Sequence, residues 1–188
     1  MPITPEYPAA VAAWIEGHSQ PANLSDKNMI VLHETEGSTA EGAISTFRQS
    51  VAPHRVSCHF VIDRDGTVYQ CISIADIAWH ASQVNAHSVG IEHAGISPTG
   101  AKAISHAHAL MTPPRPPISA MPCTEAQYVA SAKLVAWLCG RLQIPCDRVH
   151  VREHCEASPA DHHDLCCHGA LDPDRVVTMA KAFVGTSS

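Results

Sequence analysis

Short apolar runs separated by turn signals predict a sheet whose strands alternate with helices. The run MIVLHE predicts a buried strand over residues 29–33. In SCHFVIDRDGTVYQCI, two apolar runs flank Asp65 and Gly66, a pair that favours the positive φ of a tight hairpin turn. HSVGIEHAG and RVHV predict two further short strands. Because a hairpin is antiparallel while strand–helix–strand units are parallel, the sheet is expected to be mixed.

Capping residues and apolar spacing predict the helices. Ser38 and Glu41 form a capping box in STAEGAISTFRQ, and Thr124 and Gln127 form a second one. AAVAAWI near the N-terminus and DPDRVVTMAKAFV near the C-terminus predict two more helices. The helix that begins at Thr124 carries an apolar face at helical spacing, which we expect to be core: Tyr128, Ala132, Val135, Leu138 and Leu142.

The chain divides into a short N-terminal segment and one domain. Residues 1–28 are rich in Pro and polar residues and are interpreted as an N-terminal extension. Residues 29–188 form a single domain, a length that supports a substantial core. Within it, residues 96–123 contain TPPRPP and many small residues, and we predict a long irregular insertion without a helix, either a lid or a surface loop.

Composition and charge exclude several classes of protein. With 45% hydrophobic and 16% charged residues the chain should fold, and a net charge of -6 disfavours nucleic acid as a partner. No apolar run is long enough for a membrane span, so no membrane partner is expected. The N-terminus lacks a basic segment before its apolar residues, which predicts synthesis in the cytoplasm without a signal peptide. Disulfides are therefore not the default expectation for the eight cysteines.

The 14 histidines carry the stronger chemical signal, and three of them lie in REHCEASPADHHDLCC, residues 152–167. His33 ends the first predicted strand, His154 follows RVHV, and Asp164 comes ten residues later. Two imidazoles and one carboxylate leave one position open on a tetrahedral zinc ion, the pattern of a catalytic site. By spacing alone many such triples exist, and a flexible metal-scavenging segment is the alternative.

Five segments together resemble one family. IVLHETEG, VSCHFVIDRDGTVYQ, IAWHAS, HSVGIEHAG and VREHCEASPADHHD occur in the order and spacing of the zinc-dependent N-acetylmuramoyl-L-alanine amidases. That family is shared by phage lysins, wall-recycling amidases and peptidoglycan recognition proteins. The resemblance covers about residues 28–184. It implies an α/β fold with a central mixed β-sheet flanked by helices, and a Zn²⁺ cofactor in a cleft across the strand ends.

The resemblance also implies the metal ligands. His33 matches the first zinc ligand and His154 the second. The third ligand is a Cys eight residues after the second His in one branch, and an Asp ten residues after it in the other. Here these positions hold His162 and Asp164. Asp164 is favoured because the following helix then falls in the family's register, which leaves His162 as a catalytic donor to the oxyanion. His162 as the ligand is the rival assignment.

The remaining site residues follow from the same resemblance. Glu92 in VGIEHAG matches the catalytic acid/base of the recycling-type amidases, which moves a proton to the leaving amine. Some lysins use a Tyr on the preceding strand, where this chain has Cys58. Cys58 and His80, the latter in IAWHAS, are assigned to substrate binding. His59 is interpreted as structural, bonded across the sheet. Where the family continues with Pro-Gly after the Asp, this chain has Leu165, Cys166 and Cys167, whose thiolates, with that of Cys155, could compete for metal.

The resemblance implies a hydrolase that cuts the amide between N-acetylmuramic acid and L-Ala of the peptidoglycan stem peptide. We expect the catalytic domain of a phage endolysin, monomeric, made in the cytoplasm and released to the bacterial cell wall by a holin. A wall-recycling amidase is the alternative, as is a non-catalytic module of the same fold that binds muramyl peptides. Non-catalytic relatives commonly lose a metal ligand, whereas His33 and His154 are both present here.

Overall fold

Six strands form one mixed sheet at the centre of the protein, in the computed structural model that describes residues 4–161 and 170–185. The strand order is β1-β5-β4-β7-β3-β8, and β2 and β6 form a separate antiparallel pair. The strand bounds are β1 (Val11–Ala12), β2 (Ser19–Gln20), β3 (Met29–Glu34), β4 (Phe60–Ile62), β5 (Val68–Gln70), β6 (Ile77–Ala78), β7 (Ser88–His93) and β8 (Val151–Glu153).

Helices cover both faces of this sheet, so the predicted α/β class is confirmed. One face carries α1, and the other carries α3 and α5. Short 3-10 turns occupy Leu24–Asp26, Ser82–His87 and Pro159–Asp161. The helix bounds are α1 (Ala40–Gln49), α2 (Pro98–Ala109), α3 (Glu125–Leu142), α4 (His154–Ala157) and α5 (Pro173–Lys181).

The sheet is mixed because one hairpin interrupts a set of parallel pairs. β4 and β5 are antiparallel, and Gly66 in the turn between them has φ +88°, which confirms the predicted hairpin. The pairs β4–β7, β7–β3 and β3–β8 are all parallel. Four consecutive parallel strands therefore end at the same edge, where functional side chains of α/β sheets commonly lie.

Each face of the sheet buries its own apolar cluster. Ile30 and Leu32 of β3 point to the face that α3 and α5 cover. All five residues of the predicted apolar face of α3 are buried there, as expected. Val61 of β4 points to the opposite face and packs with Ile44 and Phe47 of α1. Because side chains alternate along a strand, each strand residue is committed to one of these two faces.

Hydrogen bonds at the helix starts agree with the sequence for α3 and differ for α1. Thr124 and Gln127 form the predicted capping box. At α1 the N-cap is Thr39, whose Oγ1 accepts from the Gly42 N–H at 3.2 Å, so the predicted capping role of Ser38 is wrong by one residue. Helix ends assigned from sequence are uncertain at this level because Ser and Thr are both good caps.

The prediction that residues 96–123 contain no helix is wrong, because α2 occupies Pro98–Ala109. Ser97 caps this helix by accepting from the Gly100 N–H at 2.9 Å, and Pro98 is at its first turn. Both residue types favour a helix start. The Glu36 carboxylate also accepts from the Ser97 N–H at 3.1 Å. The remainder of the segment, beyond Leu110, has no helix or strand apart from a single bridge at Met121.

The N-terminal segment is built into the domain from its first described residues. Val11–Ala12, inside the predicted helix AAVAAWI, is instead an edge strand parallel to β5. Tyr7 is buried in the core, and the backbone N–H of Glu6 donates to Gln70 Oε1 at 2.7 Å. A two-residue strand depends on its partner for its hydrogen bonds, so local sequence does not identify it.

The strand predicted at RVHV begins three residues later, at Val151. Residues 148–150 form a turn in which Asp147 Oδ1 accepts from the Val149 and His150 N–H groups at 2.9 and 3.1 Å. His154 still follows a strand directly, as predicted. Among the residues that the structure describes, none of the helices is both long and apolar enough to cross a membrane.

The side chain of Gln127 generates a prediction about stability. It is fully buried, and its Nε2 donates to the backbone oxygens of Ile62 and Ala94 at 3.2 and 2.9 Å. Gln127→Leu leaves these buried carbonyls without that donor, so we expect the free energy of unfolding to fall by about 1–3 kcal/mol. The matched change Gln49→Leu, at an exposed position of α1, should stay within about 0.5 kcal/mol. Equal values for the two variants in urea unfolding would contradict the role of Gln127.

Candidate functional site

The pairing of β3 with β7 places two predicted site residues side by side. The strands are parallel, with His33 directly opposite Glu92 in the register. Both residues follow the alternation that sends Ile30, Leu32 and Ile91 to the opposite face, so their side chains project from the face that α1 covers. The predicted juxtaposition of a metal-ligand candidate and a carboxylate at the sheet edge is therefore present.

His154 meets His33 because β8 is the neighbour of β3 on its other side. Leu32 pairs with Glu153, and His154 is the next residue, the first of α4. The ring centroids of His33 and His154 are 4.9 Å apart. Burial lowers the pKa of His33 well below its usual value, and His154 lowers it further. A neutral imidazole is the form that binds metal.

Glu92 is a half-buried carboxyl group with other acidic groups nearby. Its Oε2 is buried and has no hydrogen-bond partner. Burial raises the pKa of Glu92 to about 8, with further contributions from Glu34 and Glu36. A carboxyl group with such a pKa can hold and release a proton near neutral pH, which general acid/base catalysis requires. A cation bound beside it would lower this pKa again.

His80 contacts the metal-ligand candidate as well as the wall of the adjacent cleft. Its Nδ1 lies 2.9 Å from His33 Nε2, and its Nε2 lies 3.2 Å from Ser88 Oγ. Asn85 Oδ1 fixes its backbone by accepting from the N–H groups of His80 and Ala81 at 3.0 and 2.7 Å. Both ring nitrogens thus have protein partners, and the substrate-binding role assigned to His80 stays a prediction.

Cys58 is fully buried, which speaks against its predicted contact with substrate. Its side chain has no accessible surface, and burial raises its pKa well above the usual value. It belongs to the apolar cluster under α1 together with Val61. A Cβ on Gly90 would lie 2.7 Å from Cys58 Sγ and 2.7 Å from His80 Nδ1, so only glycine leaves room for both side chains.

Two further buried histidines, His59 and His93, form hydrogen bonds with backbone groups of the strands that carry the site. His59, predicted to be structural, accepts from the Gly90 N–H at its Nδ1 (2.9 Å) and lies 3.1 Å from the Asp76 oxygen through Nε2, which confirms that interpretation. His93 projects to the opposite face, and its Nδ1 lies 2.9 Å from the backbone oxygen of His33. This contact between His93 and His33 could not be predicted from the sequence, because it depends on the pairing of β3 with β7.

A cleft of about 800 Å³ opens beside these residues. His80 and His154 form part of its wall, together with Trp79 and residues 52–56. Arg55 is on this wall and donates from Nη1 to the Gly17 oxygen at 2.9 Å. Clefts of this volume are large enough for ligands of several hundred daltons.

The described residues supply two of the three metal ligands that the resemblance implies. Within residues 4–161 and 170–185, no group of three His, Cys, Asp or Glu side chains is arranged to hold a metal ion. Both candidates for the third ligand, His162 and Asp164, lie outside the described residues. His33 and His154 suit a zinc site, since they are adjacent imidazoles near Glu92, whose buried Oε2 has no hydrogen-bond partner.

The cysteines that the structure describes are of two kinds. Cys155 is disulfide-bonded, so its thiolate does not compete for metal as the sequence suggested, and the absence of disulfides expected by default does not hold for this residue. Cys166 and Cys167 lie outside the described residues. Five others are free thiols: Cys58, Cys71, Cys123, Cys139 and Cys146.

The mixed sheet with two histidines and a glutamate at one edge has the features of an α/β hydrolytic site. The chain belongs to the N-acetylmuramoyl-L-alanine amidase family, whose model matches residues 23–175. It is 40% identical over 67 residues to N-acetylmuramoyl-L-alanine amidase A of Achromobacter lyticus. That match covers 35% of this chain and 36% of the relative, so the chain spans about a third of the length of that protein.

Solved structures share the fold at low sequence identity. A selenomethionine derivative of AmpD superposes with a TM-score of 0.66 and 20% identity, covering 91% of this chain and 94% of its own. AmiD from E. coli, in complex with the substrate anhydro-N-acetylmuramic acid-L-Ala-D-γ-Glu-L-Lys, has a TM-score of 0.53 and 19% identity. That comparison covers 74% of this chain and 52% of AmiD. These likenesses confirm the predicted fold.

The raised pKa of Glu92 predicts how stability depends on pH in the metal-free protein. Between about pH 4.5 and 8 the folded state binds a proton at Glu92 that the unfolded state releases. The free energy of unfolding should therefore fall as pH rises through this range, by about 1.4 kcal/mol per pKa unit. Glu92→Gln should remove this dependence, so its advantage over the native protein should grow from pH 5 to pH 8.

Urea unfolding of chelator-treated protein at several pH values measures this difference. Glu153, whose pKa is also raised to about 7, contributes to both proteins and cancels. Glu34 raises the pKa of Glu92 and is coupled to it, so the measured difference includes their mutual repulsion. Glu41→Gln, at an exposed position, is the matched control and should parallel the native protein. Parallel curves for Glu92→Gln as well would contradict the raised pKa.

Proposed function

We propose that this protein is a zinc-dependent peptidoglycan hydrolase that cleaves the amide between N-acetylmuramic acid and L-Ala of the stem peptide. One observation carries the proposal: His33, His154 and Glu92 meet at one sheet edge beside a cleft. Membership in the amidase family supports the reaction class.

In this proposal His33 and His154 hold the zinc ion, with Asp164 as third ligand and His162 as the rival. Burial lowers the pKa of His33 and so favours its neutral, ligand form, and the pairing of β3 with β8 brings His154 to within 4.9 Å between ring centroids. A bound zinc ion supplies Lewis-acid polarisation of the scissile carbonyl and lowers the pKa of water to about 7. His162, if it is not a ligand, donates a hydrogen bond to the developing oxyanion.

Glu92 is the proton carrier of the proposed reaction. As a carboxylate it takes a proton from the attacking water, and as a carboxylic acid it gives that proton to the leaving amine of L-Ala. Partial removal from water and the nearby Glu34 and Glu36 raise the pKa of Glu92 and favour its protonated form, which the second transfer needs. Amine expulsion would otherwise produce an unstable anion.

The cleft suits an elongated substrate that carries both sugar and peptide. Its volume of about 800 Å³ exceeds what a single amino acid fills, and Trp79 and Arg55 offer an aromatic surface and a positive charge. The AmiD neighbour, solved with an anhydro-muramyl tripeptide, supports peptidoglycan fragments as ligands. We further propose that the protein acts as a monomer.

The biological setting is part of the proposal. We favour an endolysin catalytic domain that acts on the bacterial cell wall after release from the cytoplasm. A recycling amidase would instead act on soluble muramyl peptides. Turnover of insoluble peptidoglycan at a rate comparable to that of a soluble muramyl peptide supports the endolysin, whereas action on the soluble peptide alone favours recycling.

Metal content and activity of site variants test the proposed chemistry. His33→Ala and His154→Ala should lose bound zinc, measured by mass spectrometry of the metal, and should release no stem peptide. Glu92→Gln should keep its zinc and lose activity by about 10²- to 10⁴-fold, because it cannot transfer a proton. Asp164→Ala should lose zinc, whereas His162→Ala should keep it and turn over slowly.

His106→Ala is the matched control, since His106 is an exposed residue of α2, outside the proposed site. It should keep full zinc content and activity. If His162→Ala loses zinc and Asp164→Ala keeps it, the third ligand is His162 and not Asp164. A native protein that binds no zinc and releases no peptide would favour the non-catalytic binding module.

A further inference from the structure

A chain of three hydrogen bonds links the imidazole of His33 to a backbone carbonyl. His33 Nε2 lies 2.9 Å from His80 Nδ1, and His80 Nε2 lies 3.2 Å from Ser88 Oγ. Ser88 Oγ lies 2.8 Å from the oxygen of Val84. The proposed function uses only the first member of this chain, so the other members have no role so far.

The carbonyl at the end decides the direction of every hydrogen bond. A carbonyl oxygen only accepts, so the single proton of the Ser88 hydroxyl goes to Val84. Ser88 Oγ must then accept from His80, which places the His80 proton on Nε2. A neutral imidazole with a proton on Nε2 has a lone pair on Nδ1. His80 Nδ1 therefore accepts from His33, which places the His33 proton on its Nε2.

We infer that Ser88 and His80 are positioning residues that fix the tautomer of His33 and direct its Nδ1 toward the metal. This inference rests on the proposed zinc site. With its proton held on Nε2, His33 keeps its lone pair on Nδ1, and that nitrogen has no hydrogen-bond partner among the described residues. An outer partner that takes the other N–H orients a histidine ligand and increases its basicity.

The surroundings hold His80 in the position that this role requires. Gly90 lies against the ring so closely that a Cβ there would come within 2.8 Å of His80 Cγ. Asn85 Oδ1 accepts from the backbone N–H of His80, and the buried Lys27 donates from Nζ to the backbone oxygen of Asn85 at 3.3 Å. The ring therefore cannot turn away from His33 without moving several packed groups.

Ser131 offers a close comparison on the other face of the sheet. It is fully buried, and its Oγ lies 3.0 Å from His93 Nε2. His93 reaches the same residue, His33, but through the backbone oxygen at 2.9 Å instead of the ring. Removal of the Ser131 hydroxyl thus costs a buried hydrogen bond of the same kind without changing the tautomer of the His33 ring.

The tautomers can be measured directly in the native, metal-free protein by long-range ¹H–¹⁵N NMR of the histidine side chains. We expect the Nε2–H tautomer for both His33 and His80. On addition of zinc, the resonance of His33 Nδ1 should move while the proton on Nε2 remains. An Nδ1–H tautomer at His33, or zinc on Nε2, would overturn the inference without recourse to any variant.

Zinc affinity, measured by competition with a chromophoric chelator, tests the role of Ser88. Ser88→Ala should weaken zinc binding by about 10- to 100-fold, the usual effect of losing an outer-shell partner. Ser131→Ala should reduce thermal stability to a similar extent while zinc affinity stays within about threefold, because His33 keeps its ring partner. His80→Ala should weaken zinc binding at least as much as Ser88→Ala.

The outcomes separate this inference from the proposed function. A native protein that binds zinc, with Ser88→Ala and Ser131→Ala equal in affinity, overturns the positioning role and leaves the zinc site intact. A native protein that binds no zinc overturns both. If Ser88→Ala does not fold, the tautomers of the native protein still decide the direction of the chain.

Discussion

The parallel pairing of β3 with β7 is the constraint on which the site depends. It sets His33 opposite Glu92 and, through the neighbouring β8, brings His154 to the same edge. A slip of one residue would turn His33 or Glu92 to the opposite face, among the apolar side chains that pack against α3. The apolar residues Ile30, Leu32 and Ile91 prevent this slip, because they too would change faces. Packing of the core therefore fixes the strand register, and with it the face on which His33 and Glu92 lie.

Burial then gives these side chains their chemical character. The same low-polarity surroundings that lower the pKa of His33 raise that of Glu92, so that both favour their neutral forms without metal. Neutral imidazole is the ligand form and protonated carboxyl is the donor form. Polar residues behind the site, such as His59 and Ser88, hold the backbone and side chains in place through buried hydrogen bonds. Burial of these polar groups is unfavourable in itself, but it gives His33 and Glu92 the protonation states that the proposed reaction needs.

Local signals were sufficient for much of the fold. The β4–β5 hairpin was predicted from Asp65 and Gly66, and the start of α3 from its capping box, since both depend on residues adjacent in sequence. The strand at Val11–Ala12 was missed because two residues gain their structure from a distant partner. The helix at Pro98–Ala109 was missed although Ser97 and Pro98 are start signals, because small residues and nearby prolines suggested a loop.

For the site, family-like motifs identified His33, His154 and Glu92, and strand pairing accounts for their meeting. The motifs could not reveal that Cys58 is enclosed or that His80 bonds to His33, because these facts depend on packing around Gly90. Alternation along β7 is enough to place the adjacent residues Glu92 and His93 on opposite faces. Relations within one strand or helix can thus be predicted from the sequence, whereas contacts between elements can be identified only once the fold is known.

The most direct test of the proposed activity is identification of the bond that is cut, by mass spectrometry of purified peptidoglycan after digestion with the zinc-loaded protein. Cleavage at the proposed amide releases stem peptides with a new free amine on L-Ala, and leaves glycan strands of unchanged length whose muramic acids end in free lactyl carboxylates. New reducing sugar ends, or peptides cut between later residues of the stem, would contradict it.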